Sequence, residues 1–192
     1  MLILSTDSLF LATAPLTQLN PNTDVVFLLD ASKGVTLNVY QMEKDFIVSM
    51  ATQFNVSQAG PRAAVIMYDS FAYTLVRFNE TTGLKDRVDK ALLLGLPRRM
   101  DEALQQALRM LTKFGRVGRK IVILLTAGLQ AVQPNVKSLS EAVMPLKELG
   151  VQTFVIAIGL QLNDGDIVNL VDRRQDIFRS EERRVGKECR SR

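Results

Sequence analysis

Val25-Val26-Phe27-Leu28-Leu29-Asp30-Ala31-Ser32-Lys33-Gly34 opens with five consecutive apolar residues and stops at a carboxylate. A run with no alternation reads as a strand covered on both faces, the kind that fills parallel sheets sandwiched between helices. In open α/β sheets ligands sit beyond the carboxyl ends of the strands. Asp30 and the hydroxyl of Ser32 therefore fall where a functional site is expected.

Outward from that strand, predicted elements alternate along the chain. Apolar residues at Val39, Met42, Phe46 and Met50, with Ile47 and Phe54 alongside, recur at spacings of three and four and predict a long amphipathic helix. Gly60-Pro61 ends it, and residues 63–68 predict a second buried strand. The link Asp69-Ser70 is too short for anything but a hairpin, so residues 73–78 predict an antiparallel edge strand. A helix over 84–94 comes next, then a loop and a helix carrying Leu104, Ala107, Leu108 and Leu111, with Asp101 as its N-cap. Residues 121–126, the most apolar run, predict a central strand. A helix over 140–149, containing Pro145, stops at Gly150, and a strand follows over 153–158. Asp164 opens a last short helix, and residues 176–178 begin a further strand. The expected fold is α/β: a doubly wound, mostly parallel sheet with one antiparallel edge strand and helices on both faces, truncated at the carboxyl end.

The 192 residues, 47% of them hydrophobic, fit one well-buried domain, placed at residues 23–178. Residues 1–22 read as a linker or the end of a preceding module, closed by Asn20-Pro21-Asn22. Ala12-Thr13-Ala14 leaves a signal peptide as the competing reading, without the basic leader such a peptide carries. Residues 179–192 are charged and without periodicity, and they resemble the translation of a short-read sequencing adapter. A genuine basic tail is the alternative. Without that segment's six basic and three acidic residues the balance falls from 24 against 20 to 18 against 17, which points away from nucleic acid. Cys189, the only cysteine, lies in the same segment, and there is no histidine. The body therefore offers no thiol nucleophile, imidazole base, disulfide or ordinary zinc site. No stretch approaches the roughly 18 apolar residues of a membrane span.

Asp30-Ala31-Ser32-Lys33-Gly34, the stretch 121–128 and the stretch 146–159, with its pattern Leu-x-x-Leu-Gly-Val-x-x-Phe-x-Ile-x-Ile-Gly, together resemble the von Willebrand factor A-type domain. The form is that of extracellular matrix proteins such as collagen VI and the matrilins. The resemblance implies a metal-ion-dependent adhesion site, in which an Asp-x-Ser-x-Ser loop, a Thr and a second Asp hold Mg²⁺ and a partner's carboxylate completes the sphere. Asp30 and Ser32 match that pattern. Gly34 stands where the second Ser should be, Arg98 and Arg99 occupy the region of the Thr, and Ala127 replaces the second Asp. A guanidinium beside a dication costs several kcal/mol, so the site is expected to be vestigial, with no metal and no other cofactor. Two arrangements follow. Either Arg98 or Arg99 pairs with Asp30 in the cation's place, or both arginines face solvent and Asp30 accepts only backbone N–H groups.

Asn55-Val56-Ser57 and Asn79-Glu80-Thr81 are N-glycosylation acceptors in predicted loops. Gly115-Arg116-Val117-Gly118-Arg119-Lys120 lacks phosphate-loop spacing and precedes a strand, so it reads as a turn with a basic face. The acidic neighbours Asp101-Glu102, Asp164-Asp166 and Asp172-Asp176 read as helix starts or solvated faces. No nucleophile has a base beside it, and the methionines read as core. The expectation is a non-enzymatic, secreted adhesion or matrix-assembly module, one of several in tandem, that binds other matrix or cell-surface proteins, collagen among the candidates, without metal. An intracellular scaffold domain in a multiprotein or ATPase-linked complex is the alternative from another class. Cation-dependent adhesion is the alternative if a metal is retained.

Overall fold

The computed structural model describes residues 19–158 and 164–180. The expectations for residues 1–18, for Gly159 and for the charged segment from residue 181, Cys189 included, lie outside the described residues. The elements are β1 (Thr23–Asp30), α1 (Leu37–Gln53), β2 (Arg62–Tyr68), β3 (Ala72–Val76), α2 (Leu84–Asp89), α3 (Met100–Phe114), β4 (Arg119–Thr126), α4 (Leu139–Glu148), β5 (Gln152–Ile158), α5 (Asp164–Ile167) and β6 (Ile177–Ser180). They form one six-stranded sheet in the order β3-β2-β1-β4-β5-β6, with β3 antiparallel to β2 and the other pairings parallel.

All eight residues of β1 are buried because the strand feeds two cores at once. Val25, Phe27 and Leu29 face α1 and α2, against Phe46, Ile47, Met50, Leu84 and Val88. Val26 and Leu28 face α3 and α4, against Leu104, Leu111, Val143 and Leu146. Side chains alternate along a strand, so an unbroken apolar run is what a sheet covered on both faces requires. The strand order reverses between β1 and β4, which leaves a crevice beyond the carboxyl ends of the two strands. That end is the upper pole below, and the amino ends of the parallel strands form the lower pole.

Several boundaries differ from the pattern-based expectation. The helix predicted over 84–94 ends at Asp89, and residues 91–99 form a loop. Lys44 Nζ, on α1, donates to Asp89 O at 2.8 Å, and Ala31 O receives Leu94 N and Gly95 N at 3.3 and 2.9 Å. The apolar Ala91-Leu92-Leu93-Leu94 run thus serves as a loop tied to the end of β1, not as helix. Asp101 is not the N-cap of α3. That position belongs to Arg99, and Asp101 lies in the first turn. On α1 the buried face is centred on Tyr40, Glu43, Ile47 and Met50, with Val39 and Met42 at its margin. The last strand continues through Arg179 and Ser180, which pair with Ala157 and Ile158, so it crosses the boundary placed at residue 178.

α4 accommodates Pro145 at the end of its second turn. Its start is secured by a capping box, in which Ser138 Oγ accepts from Glu141 N while Glu141 Oε2 accepts from Ser138 N. Among the described residues no helix is long and apolar enough to cross a membrane.

Candidate binding site

The upper pole is built on Asp30, the last residue of β1 and completely buried. The turn that follows folds back so that Ser32 donates to Asp30 Oδ1 twice, from its N at 3.1 Å and from its Oγ at 2.5 Å. From β4 and the turn after it, Ala127 N donates to Oδ2 at 3.1 Å, and Thr126 Oγ1 lies 3.4 Å from the same oxygen. Arg98 Nε completes the set, 2.6 Å from Oδ2. A carboxylate has about four lone-pair positions, and four firm donors fill those of Asp30.

Arg98 is 8% exposed and ties the loops of this pole together. Its Nη1 donates to Leu129 O at 3.2 Å and its own carbonyl accepts from Ala131 N at 2.8 Å. The guanidinium lies against Gly128, where a Cβ would stand 2.4 Å from Nη1. Next to it, Ser70 Oγ donates to Pro97 O and Lys33 N donates to Leu96 O. Of the two arginines singled out from the sequence, Arg98 meets Asp30. Arg99 turns the other way and forms a two-pronged pair with Asp101, both bonds at 2.8 Å, and a third contact with Glu102.

Glu43, a buried residue of α1 beneath the site, accepts from Asp30 N at 2.9 Å through Oε2. Its Oε1 has no partner among the described residues. Burial, and then the nearby charge of Asp30, raise its carboxyl well above the ordinary range, against a lowering pull from the Asp30 N–H and from Arg98. The neutral form is favoured. Burial likewise raises the Tyr68 phenol, whose hydroxyl donates to Leu125 O at 2.8 Å.

Gly34, in the place of the second loop Ser, has φ +95° and open space around it. The turn has therefore adopted a backbone that favours glycine. Ala127 contributes only its N–H. Among the described residues no group of three or more His, Cys, Asp and Glu is placed to hold a metal ion. Asp30 is saturated by the protein and a guanidinium sits upon it, so the donor set present does not fit a divalent cation.

Sequence reasoning missed several polar anchors. Glu43 was readable in principle, because it falls at spacings of three and four with Tyr40 and Ile47 on the buried face. Arg116, read as part of a basic turn, instead donates to Asp24 from both its N and its Nε, at 2.6 and 3.2 Å. Asp101 and Asp176 are buried and paired with Arg99 and Arg173, where helix starts or solvated faces were expected. Asn55 and Asn79 are both exposed, Asn55 with φ 49° just past α1. Both belong to the lower pole. Asn55 lies in the loop leading to the start of β2, and Asn79 follows Phe78, whose ring lies 4.8 Å from the Arg62 guanidinium at that same start.

A doubly wound sheet whose first strand delivers an Asp-x-Ser turn to the crevice at its switch point defines a particular class of α/β domain. Residues 24–184 match the von Willebrand factor type A domain, and the chain belongs to that family. It is 22% identical over 166 residues to the collagen alpha-1(VI) chain of Gallus gallus and 27% identical over 160 residues to the collagen alpha-1(XXI) chain of Homo sapiens. Those matches cover 83% and 81% of this chain but 16% of each collagen chain. Among solved structures, proximal thread matrix protein 1 from the mussel byssus superposes with a TM-score of 0.73 at 22% identity, over 85% of this chain and 42% of that one. A second structure of that protein, with a zinc-occupied MIDAS motif, gives 0.75 at the same identity and coverage. By its collagen relatives the domain is of the extracellular-matrix type.

Proposed function

We propose that this domain is a secreted adhesion or matrix-assembly module that binds a matrix or cell-surface protein at its upper pole, without a divalent cation and without catalysis. One observation carries the reading. The loops gathered by Arg98 and Asp30 expose Phe71, Leu94, Leu96 and Leu129, each at least 44% accessible. Large apolar side chains collected on the loops of a functional crevice are suited to a protein partner. The cation near them in the turn after β1, Lys33, is also exposed. The collagen relatives support a matrix setting, and collagen is the first partner to try. Oligosaccharides on Asn55 and Asn79 would cover the lower pole and leave the upper one open.

The test is surface plasmon resonance of the domain, secreted from eukaryotic cells, over immobilised collagens and other matrix proteins in Mg²⁺ and in EDTA. Binding of equal strength in both buffers is expected, lost in Leu96→Asp and Phe71→Asp at unchanged melting temperature. Asn55→Gln and Asn79→Gln should each remove one glycan mass and leave binding intact. Binding abolished by EDTA, or binding indifferent to both apolar substitutions, rejects the reading.

A further inference from the structure

We propose that Arg98 is a built-in cation: its guanidinium permanently occupies the place at Asp30 where a divalent ion would sit, and it closes the site to metals. This deepens the metal-free part of the function just proposed, and its test needs no binding partner.

Three features of the site fit this role together. Asp30 has no lone pair to spare, since Ser32 N, Ser32 Oγ, Ala127 N and Arg98 Nε take all four. The surroundings are shaped to the guanidinium, because any side chain at position 128 would collide with Nη1, and Leu129 O is positioned to accept from it. The second acidic position is filled by Ala127, which presents an N–H to Asp30 and no oxygen. A metal would have to expel Arg98 from a pocket that leaves it 8% exposed, or sit beside its charge. The consequence concerns regulation. In a metal-loaded site the ion joins the loops and can leave. Here the joining group is attached to the loop itself, so the pole stays assembled at any ion concentration.

Two positions should convert the site. Arg98→Thr removes the tethered cation and offers a hydroxyl, and Ala127→Asp restores a carboxylate, with Asp30 and Ser32 already in place. Gly34 is left alone, since its φ of +95° strains any substitution there. The experiment is thermal melting followed by circular dichroism in Mg²⁺, Mn²⁺ and Zn²⁺, each against EDTA. The unaltered domain is expected to show no shift. The Arg98→Thr/Ala127→Asp variant is expected to gain roughly 5 °C or more once a cation is well above its dissociation constant, and to lose that gain on adding Asp30→Asn. The proposal is overturned if the unaltered domain gains a shift of that size that Asp30→Asn abolishes. A folded double variant that ignores all three cations overturns it as well. Should the double variant not fold, the measurement on the unaltered domain still decides between a site closed to metals and one open to them.

Discussion

β1 carries a buried aspartate at each end, and the two are satisfied by different chemistry. Asp24, at the lower pole, takes two donors from Arg62, at 2.9 and 2.8 Å, and two from Arg116, its N and its Nε. Asp30, at the upper pole, takes one donor from a guanidinium, two backbone N–H groups and the Ser32 hydroxyl, with the Thr126 hydroxyl farther off at 3.4 Å. Each carboxylate is saturated. The lower one faces two cations whose side chains remain 15% and 28% exposed, while the upper one balances a single cation at 9%. The lower cluster is a clasp with charge to spare, and the upper one is a closed pair holding the loops of the crevice. A carboxylate at a strand end is therefore not itself a sign of function; what its partners hold in place decides.

The contrast predicts an order of effects. Arg98→Ala should be the most damaging, because it leaves the Asp30 charge fully buried without a counter-charge, a loss of about 3–5 kcal/mol in urea unfolding. Asp24→Asn should cost less, about 2 kcal/mol, since Arg62 and Arg116 can turn toward water. The reverse order would break the distinction between closed pair and open clasp.

Buried carboxylates of the two poles, Asp24 and Glu43, should also respond to pH with opposite sign. Burial by itself raises the Asp24 carboxyl, but the bonds from Arg62 and Arg116 and their charges outweigh it and hold it below the ordinary 3.8. Asp101 is likewise lowered, by Arg99 and Lys137 N against burial. A depressed carboxyl stabilises above its unfolded value, and that stability is lost as pH falls through the folded one, so both weaken the domain in acid below about pH 4. Glu43 is raised, so its contribution is complete at low pH and declines as pH rises from the unfolded glutamate value through the folded one. Urea midpoints across pH should show Asp24→Asn flattening the acid limb and Glu43→Gln flattening the gentler slope above it. An unchanged profile in both variants would show that neither carboxylate shapes the pH dependence.

The fold was readable because its signals are local. The runs at 25–29 and 121–126 need both faces covered, and the turns at Gly60-Pro61 and Gly150 interrupt the pattern between elements. Asp30, Ser32, Gly34 and Ala127 could be audited for the same reason, since each closes an apolar strand. Whether Arg98 or Arg99 would reach Asp30 could not be read, because adjacent residues in a loop point in directions that only the tertiary path decides. Asp24 escaped notice because its partners are 38 and 92 residues away. The loop after α2 was mistaken for helix because apolar composition does not reveal that Lys44 and Ala31 O take over its backbone bonds.

Arg116 also bears on how long the folded domain lasts. Its Nη2 lies within hydrogen-bond distance of Pro21 O, Thr23 O and Gly60 O, and so fastens two remote segments, one 95 and 93 residues away and the other 56. Contacts between such remote segments form only after the loops between them have closed, late on the folding route. An interaction absent from the transition state acts on the rate of opening and hardly on the rate of closing. The lower clasp is thus a brake on unfolding, and its worth to the domain is counted in lifetime.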